Sequence, residues 1–362
     1  MPPSIRITVN DLVKIVAFYN YPRCGSFRLL EAAIRTKQQI YNLLLLQVLL
    51  YPIDSSSALQ NLVDILLNNV LNKNSPQLLC LIAIELDPSD ASAYFNLAAM
   101  LPPNGSIKLL NGTTVTTQQL LLKAVDLDPT NSLAYFNLAN TMPANGSITL
   151  LDGTTLTKQQ LLLKSIHIDS SFSSAYFTLA NTLPQNGSVR LLNGITMSKQ
   201  QLFLKAIDLD PLCAVAYSNL AATLPKNGSI RLFNHTTMTQ TQLYLKAVDL
   251  NPYLWTAYYN LSLLVPPSGS IELLNGTRMT QQQLCLKAID LNPSFSAAYY
   301  NLATTLPRNG TITLLDGTTM SQQQLYLKAI DLNPLDSKAY NNLASTLSPN
   351  GSITLLNGAT MT

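Results

Sequence analysis

From Ser75 onward the chain repeats itself every 41 residues without insertion or deletion, and this recurrence limits the possible folds more than any other feature. The unit is clearest in KAIDLNPSFSAAYYNLATTLPRNGTITLLDGTTMSQQQLYL, from Lys287 to Leu327. Copies begin at Ile82, Lys123, Lys164, Lys205, Lys246 and Lys287, and a seventh from Lys328 stops at Thr362. A unit this short cannot bury its own apolar face, so neighbouring copies must stack and share a core, which is the logic of a solenoid. Residues 75–362 are therefore expected to form one repeat array, six full units from residue 82 and a truncated seventh. Residues 1–74 do not fit the repeat; their apolar stretches suggest helices that cap the first unit, such as the run after Asp54 through Leu59, Leu62, Val63, Leu66 and Leu67.

Each unit reads as two helices and a connector. Thr280 followed three residues later by Gln283 is a capping box, and it recurs as Thr116/Gln119, Thr157/Gln160, Ser198/Gln201, Thr239/Gln242 and Ser321/Gln324. The apolar stripe behind it, Leu284, Leu286, Ala288, Ile289 and Leu291, ends at Asn292-Pro293, because the residue before proline avoids the helical region. A second helix is expected from about Ser296 to Leu306, followed by Pro307 and a left-handed exit at Asn309-Gly310. In the connector TITLLDGTTM, β-prone residues flank Asp316-Gly317, a strong hairpin signal that returns at Asn111-Gly112, Asp152-Gly153, Asn193-Gly194, Asn275-Gly276 and Asn357-Gly358. Asn234-His235 departs from it. A two-stranded ribbon is expected in every unit, packed on a helix or on the next ribbon because an isolated hairpin is marginal in water.

Composition narrows the function. Of 362 residues, 47% are hydrophobic and 11% charged, with a net charge of +3 that is spread evenly. That balance excludes a disordered chain and offers nucleic acid no basic stripe. Cys24, Cys80, Cys213 and Cys285 stand singly without metal-ligand spacing, so reduced, partly buried thiols are expected. Cys80 and Cys285 share a slot filled elsewhere by Leu121, Leu162, Phe203, Tyr244 and Tyr326, where cysteine acts as a small hydrophobe. The start lacks the apolar core of a secretory signal and Ile40 to Leu50 is too short to span a bilayer, which suggests a soluble cytoplasmic protein without a membrane partner. Ten N-x-S/T sequons are present, but nearly all are the Asn-Gly pairs of turns. His167 and His235 replace other residues of regular repeats and have no recurring nucleophile or carboxylate beside them. No phosphate-binding glycine loop or calcium loop is complete, so neither enzyme, metal site nor cofactor is expected.

The run Leu286-Lys287-Ala288-Ile289-Asp290-Leu291-Asn292-Pro293, followed by Ala298-Tyr299-Tyr300-Asn301-Leu302-Ala303, resembles the tetratricopeptide repeat. Ala298, Tyr299, Leu302, Ala303, Leu306, Tyr326, Ala329 and Pro334 match that family's signature slots. The resemblance implies a mainly α fold, a right-handed α-solenoid of helix pairs, here with a short β-hairpin in each repeat. The family period is about 34 residues, and the extra residues fall where the hairpin is expected. The small residue usual early in the post-hairpin helix is Lys158, Lys199, Gln240, Gln281 or Gln322 here, which suggests a splayed or shifted helix pair.

In superhelical arrays of this family an asparagine ladder lines the concave wall. The resemblance puts Asn96, Asn137, Asn219, Asn260, Asn301 and Asn342 in that role, with Thr178 interrupting them. A carboxamide offers donors and an acceptor, so it can pair with the backbone of an extended peptide whatever its side chains. The competing role is that each asparagine bonds a neighbouring repeat's backbone and only fixes the stacking. Phe95, Phe136, Phe177, Tyr259 and Tyr300 stand beside the ladder, either as an aromatic wall for a partner or as core against a neighbouring helix. The tyrosines present in every copy, Tyr94, Tyr135, Tyr176, Tyr217, Tyr258, Tyr299 and Tyr340, are the better core candidates. Lysines three residues before an aspartate, as in Lys287 and Asp290, read as surface pairs. The expected function is a non-catalytic scaffold or adaptor that binds a protein or an extended peptide in its groove. The alternatives are the substrate-docking array of a larger enzyme, of which this chain is a fragment, and self-association through the uncapped C-terminal repeat.

Overall fold

A computed structural model describes residues 76–348, 351–355, 358 and 360–361. The helical cap expected over residues 1–74 lies outside the described residues, as does Cys24. Among the described residues the protein is mainly helical, with a two-stranded hairpin in each repeat. It divides into two units, one up to Asp169 and one from Ser170. The first holds α1 (Pro76–Leu86), α2 (Ala91–Ala99), β1 (Ser106–Lys108), β2 (Thr114–Thr116), α3 (Thr117–Leu127), α4 (Ser132–Asn140), β3 (Ser147–Thr149), β4 (Thr155–Thr157) and α5 (Lys158–Ile168). The second begins with α6 (Ser173–Thr182), β5 (Ser188–Arg190), β6 (Thr196–Ser198), α7 (Lys199–Leu209), α8 (Ala214–Ala222), β7 (Ser229–Arg231), β8 (Thr237–Thr239) and α9 (Gln240–Leu250). It continues with α10 (Trp255–Leu264), β9 (Ser270–Glu272), β10 (Arg278–Thr280), α11 (Gln281–Leu291), α12 (Ser296–Thr304), β11 (Thr311–Thr313), β12 (Thr319–Ser321), α13 (Gln322–Leu332), α14 (Ser337–Thr346), β13 (Ile353–Thr354) and β14 (Thr360–Met361).

The post-hairpin helices start where the capping boxes place them. In α3 the Thr116 hydroxyl accepts from the Gln119 backbone N–H at 3.2 Å while Gln119 Oε1 accepts from the Thr116 N–H at 2.8 Å. The same reciprocal pair opens α5, α7, α9, α11 and α13. Each box satisfies two donors that a helix start otherwise leaves unpaired, and losing such a cap costs about 0.5–2 kcal/mol. Except in α5, where Asp169 is followed by Ser170, their far ends meet an Asp-Pro or Asn-Pro turn in which the acidic or amide side chain accepts a backbone N–H two residues on, as Asp128 does from Thr130 at 2.9 Å.

Burial follows the helical period. In α3 the inward residues are Leu120, Leu121, Ala124 and Val125, and in α4 Ala134, Tyr135, Leu138 and Ala139. The second unit repeats this with Leu202, Phe203, Ala206 and Ile207 against Ala216, Tyr217, Leu220 and Ala221. The alanines have no exposed surface, because two helix backbones can approach closely only where side chains are small. Each fully buried leucine contributes roughly 1.5–3 kcal/mol of transfer free energy. Tyr135, Tyr176, Tyr217, Tyr258 and Tyr299 are buried, as expected of core, while Tyr94 and Tyr340 are half-buried. Cys80 and Cys285 are buried, and Cys285 has no exposed surface, so in that slot cysteine does pack as a small hydrophobe.

Every ribbon is a separate two-stranded sheet, and none pairs with the next. In the first, Ile107 faces Val115, and the register runs from Ser106↔Thr116 to Lys108↔Thr114. The turn is closed by the Gly112 N–H to the Leu109 carbonyl at 2.9 Å, and Gly112 is left-handed at φ +88°. This is the three-residue hairpin loop that ends in a left-handed residue. The two residues before the Asn-Gly or Asp-Gly pair part company in it. Leu150, Leu191, Leu232, Leu273 and Leu314 are buried, while their successors Leu151, Leu192, Phe233, Leu274 and Leu315 are exposed. At the helix exit the left-handed residue is the asparagine in Asn227 and Asn309, each with φ 63°. The glycine that follows is there for space: a Cβ on Gly310 would lie 2.8 Å from the Pro307 carbonyl oxygen.

Candidate partner-binding face

Asn96, Asn137, Asn219, Asn260, Asn301 and Asn342 occupy one position in the helices that precede the hairpins, and all six are half-buried. Their hydrogen bonds differ. Asn219 Nδ2 donates to Asn181 Oδ1 on α6 at 3.0 Å. Asn342 Nδ2 donates to the Tyr300 hydroxyl, 42 residues earlier, at 3.0 Å. Asn301 lies beside the Tyr259 hydroxyl and lowers its pKa, although burial, the larger effect, raises it. The enclosed Asn301 Nδ2 itself has no partner within hydrogen-bond range. Asn96, Asn137 and Asn260 make no side-chain hydrogen bond among the described residues. The bonds that do form run to side chains of the preceding repeat and not to its backbone.

The five aromatic positions, Phe95, Phe136, Phe177, Tyr259 and Tyr300, are also half-buried. In the second unit they rest on rings from neighbouring elements. Phe177 packs on Phe203 of α7 with centroids 5.9 Å apart, and Tyr300 on Tyr326 of α13 at the same distance. Tyr259 meets Phe295 edge-on at 4.8 Å, and Trp255 joins that ring at 4.4 Å. Each such pair adds about 0.5–1.5 kcal/mol beyond burial. These rings therefore hold repeats together with one side and leave a margin open with the other.

The slot usually filled by a small residue holds long polar side chains that reach the end of the preceding helix. Lys158 Nζ donates to the Met142 carbonyl at 3.0 Å and Lys199 Nζ to that of Leu183 at 2.8 Å. Gln240 Nε2 reaches the carbonyls of Ala221 and Leu224, and Gln322 Nε2 those of Ala303 and Leu306. A long polar side chain satisfies the unpaired carbonyls at the end of the preceding helix, so it ties the pair together. The next residue serves the following repeat: Gln200 donates to the Thr223 carbonyl and Gln323 to that of Thr346, both at 3.3 Å.

With this geometry in place, the likeness to known proteins is specific. A family model described as tetratricopeptide repeat matches residues 120–149, 284–313 and 325–358. The first two matches run from a post-hairpin helix across the proline turn and the next helix, and end in a hairpin strand. Over those residues the chain carries tetratricopeptide repeats. A solved structure described as "YrrB: a TPR protein with an unusual peptide-binding site" is similar over 62% of this chain and 98% of that one, at 17% identity and a TM-score of 0.35. No curated protein matches the chain. Tetratricopeptide repeats are typically non-enzymatic interaction scaffolds.

Surface chemistry of the repeat array is sparse. Lys123, Lys205, Lys246, Lys287 and Lys328 each pair with the aspartate three residues on at 2.8–3.2 Å. Exposed pairs of this kind contribute only a few tenths of a kcal/mol. Lys164, whose corresponding partner is His167, instead lies 5.3 Å from the centre of the Tyr135 ring. His167 and His235 are exposed. Among the described residues no cluster of His, Cys, Asp or Glu could hold a metal, and no helix is long and apolar enough to cross a membrane. An open pocket beside α14 is lined by Arg308, Tyr340, Asn341, Leu347 and Ile353.

Proposed function

We propose that this repeat protein is an interaction scaffold that holds an extended peptide, or an extended segment of a protein, in a concave groove lined by the asparagine row and its aromatic neighbours. The observation that carries the reading is the recurrence of a half-buried carboxamide at one position in six of the seven pre-hairpin helices among the described residues. Asn96, Asn137 and Asn260 retain unspent donors and acceptors, which suits pairing with a strand-like backbone. The half-exposed rings of Phe95, Phe136, Phe177, Tyr259 and Tyr300 supply apolar contact beside it. Free thiols at Cys80, Cys213 and Cys285 support a cytoplasmic setting.

The test uses peptides selected on the full chain from a random-sequence library. Replacing Asn219, Asn260 and Asn301 together by alanine is expected to lower affinity by about a hundredfold, two or three hydrogen bonds at about 1 kcal/mol each. Helical circular dichroism stays unchanged. Undiminished affinity would overturn the reading.

A further inference from the structure

The four asparagines of the second unit are not equivalent, and the difference lies in the helix before each. Asn342 and Asn301 each follow a repeat whose aromatic position carries a hydroxyl. Tyr300 accepts from Asn342 at 3.0 Å, and Tyr259 lies beside the enclosed Asn301 amide. For Asn219 the corresponding residue is Phe177, which has no hydroxyl and is stacked on Phe203. For Asn260 it is Ser218, a short side chain that is 2% exposed. Asn219 turns instead to the exposed Asn181, and Asn260 donates to no side chain among the described residues. A carboxamide has two N–H donors and an oxygen with two lone pairs. Asn260 keeps all of that capacity and Asn219 has spent one donor on an exposed pair that water competes for, while Asn342 has spent one in a part-buried bond within the fold.

We propose that the Tyr300 hydroxyl divides the row: Asn342 holds neighbouring repeats in register, and Asn219 and Asn260 are the pair that takes the peptide backbone. This deepens the groove reading and rests on it. A ligand carbonyl reaching Asn342 must first break the Tyr300 bond, so it exchanges one hydrogen bond for another and gains little. At Asn260 it adds a bond and displaces only water.

The experiment measures both peptide affinity and melting temperature for single alanine variants of Asn219, Asn260 and Asn342 in the full chain. The probe is the tightest peptide selected from a random-sequence library. Asn219→Ala and Asn260→Ala are each expected to weaken binding by about five- to tenfold, the worth of one hydrogen bond, with the melting temperature unchanged. Asn342→Ala lowers the melting temperature and leaves affinity within about twofold. Tyr300→Phe lowers it as Asn342→Ala does, and the double variant falls no further, because the two share one bond. Equal losses of affinity for the alanine variants of Asn219, Asn260 and Asn342, or a loss confined to Asn342→Ala, overturn the division and leave the groove reading standing. Affinity untouched by all three, or no selected peptide at all, overturns the groove reading and the division with it.

Discussion

At the tip of the β7–β8 hairpin a histidine occupies backbone that the other repeats give to glycine. His235 has φ 68°, where the equivalent glycines range from 83° to 89°. An L side chain in this left-handed region costs about 1–2 kcal/mol. The turn survives because its hydrogen bonds stay in place: the His235 N–H reaches the Leu232 carbonyl at 3.0 Å and the Thr236 N–H reaches Asn234 Oδ1 at 3.1 Å. His235→Gly is therefore expected to stabilise the chain by about 1 kcal/mol, less what glycine loses in the unfolded state. Urea denaturation measures it, and a destabilised variant would show that the imidazole makes a contact of its own. The sequence already marked this position as a departure from the hairpin pair. That the chain accepts the left-handed geometry with a side chain in place could not be read there, because it depends on the hydrogen bonds that close the turn.

At the scale of one helix, the first three residues of α13 do three different jobs. Gln322 caps the end of α12, Gln323 reaches the end of α14, and Gln324 closes the capping box with Ser321. Only the third job was legible in the sequence, because a capping box is local and its spacing suffices to recognise it. The other two depend on which helix ends lie nearby, and Lys158, Lys199 and Gln240 in the first slot looked like defects of packing. Gln322→Leu strips two carbonyls of their donor and is expected to cost about 1–3 kcal/mol. At the equivalent site Gln240 leaves its own Oε1 buried without a partner. Gln240→Lys keeps a donor and removes that acceptor, as Lys158 and Lys199 do in other repeats, so no loss of stability is expected. Thermal melts of the two variants check both; equal destabilisation would mean that the slot is sensitive to shape and not to hydrogen bonding.

Across the whole molecule the buried tyrosines and thiols set the response to alkali, with burial pushing the Cys80 thiol from 9.0 up to about 11. Burial pushes the Tyr244 hydroxyl up to about 12, and it also raises Tyr135, Tyr217, Tyr258, Tyr299 and Tyr326 above the ordinary value of 10.0. A raised pKa means that the folded chain keeps a proton which the unfolded chain gives up. Below the unfolded values both states are protonated and stability is full; as pH rises from about 9 through 12 the unfolded state gains and stability falls. The melting temperature is expected to be flat from neutrality to about one unit below the ordinary thiol value of 9.0 and then to drop, first through Cys80 and then through the tyrosines. Tyr244→Phe should reduce the drop. A decline that begins near neutral pH would mean that a group other than these thiols and tyrosines governs it.

The sequence by itself determined the mainly helical repeat, the place of each hairpin, the capping boxes and the tyrosine core, because period, caps and turn chemistry are local and recur in every copy. The row of asparagines was equally visible, but as seven similar positions with Thr178 as the only exception. Tertiary structure alone separated Asn342, bonded to Tyr300, from Asn260, bonded to no side chain among the described residues. The residues that decide the difference lie 42 positions apart, on helices that meet only when repeats stack. A hydrogen bond across that distance has no spacing rule to announce it, and its presence depends on whether the facing ring carries one oxygen atom.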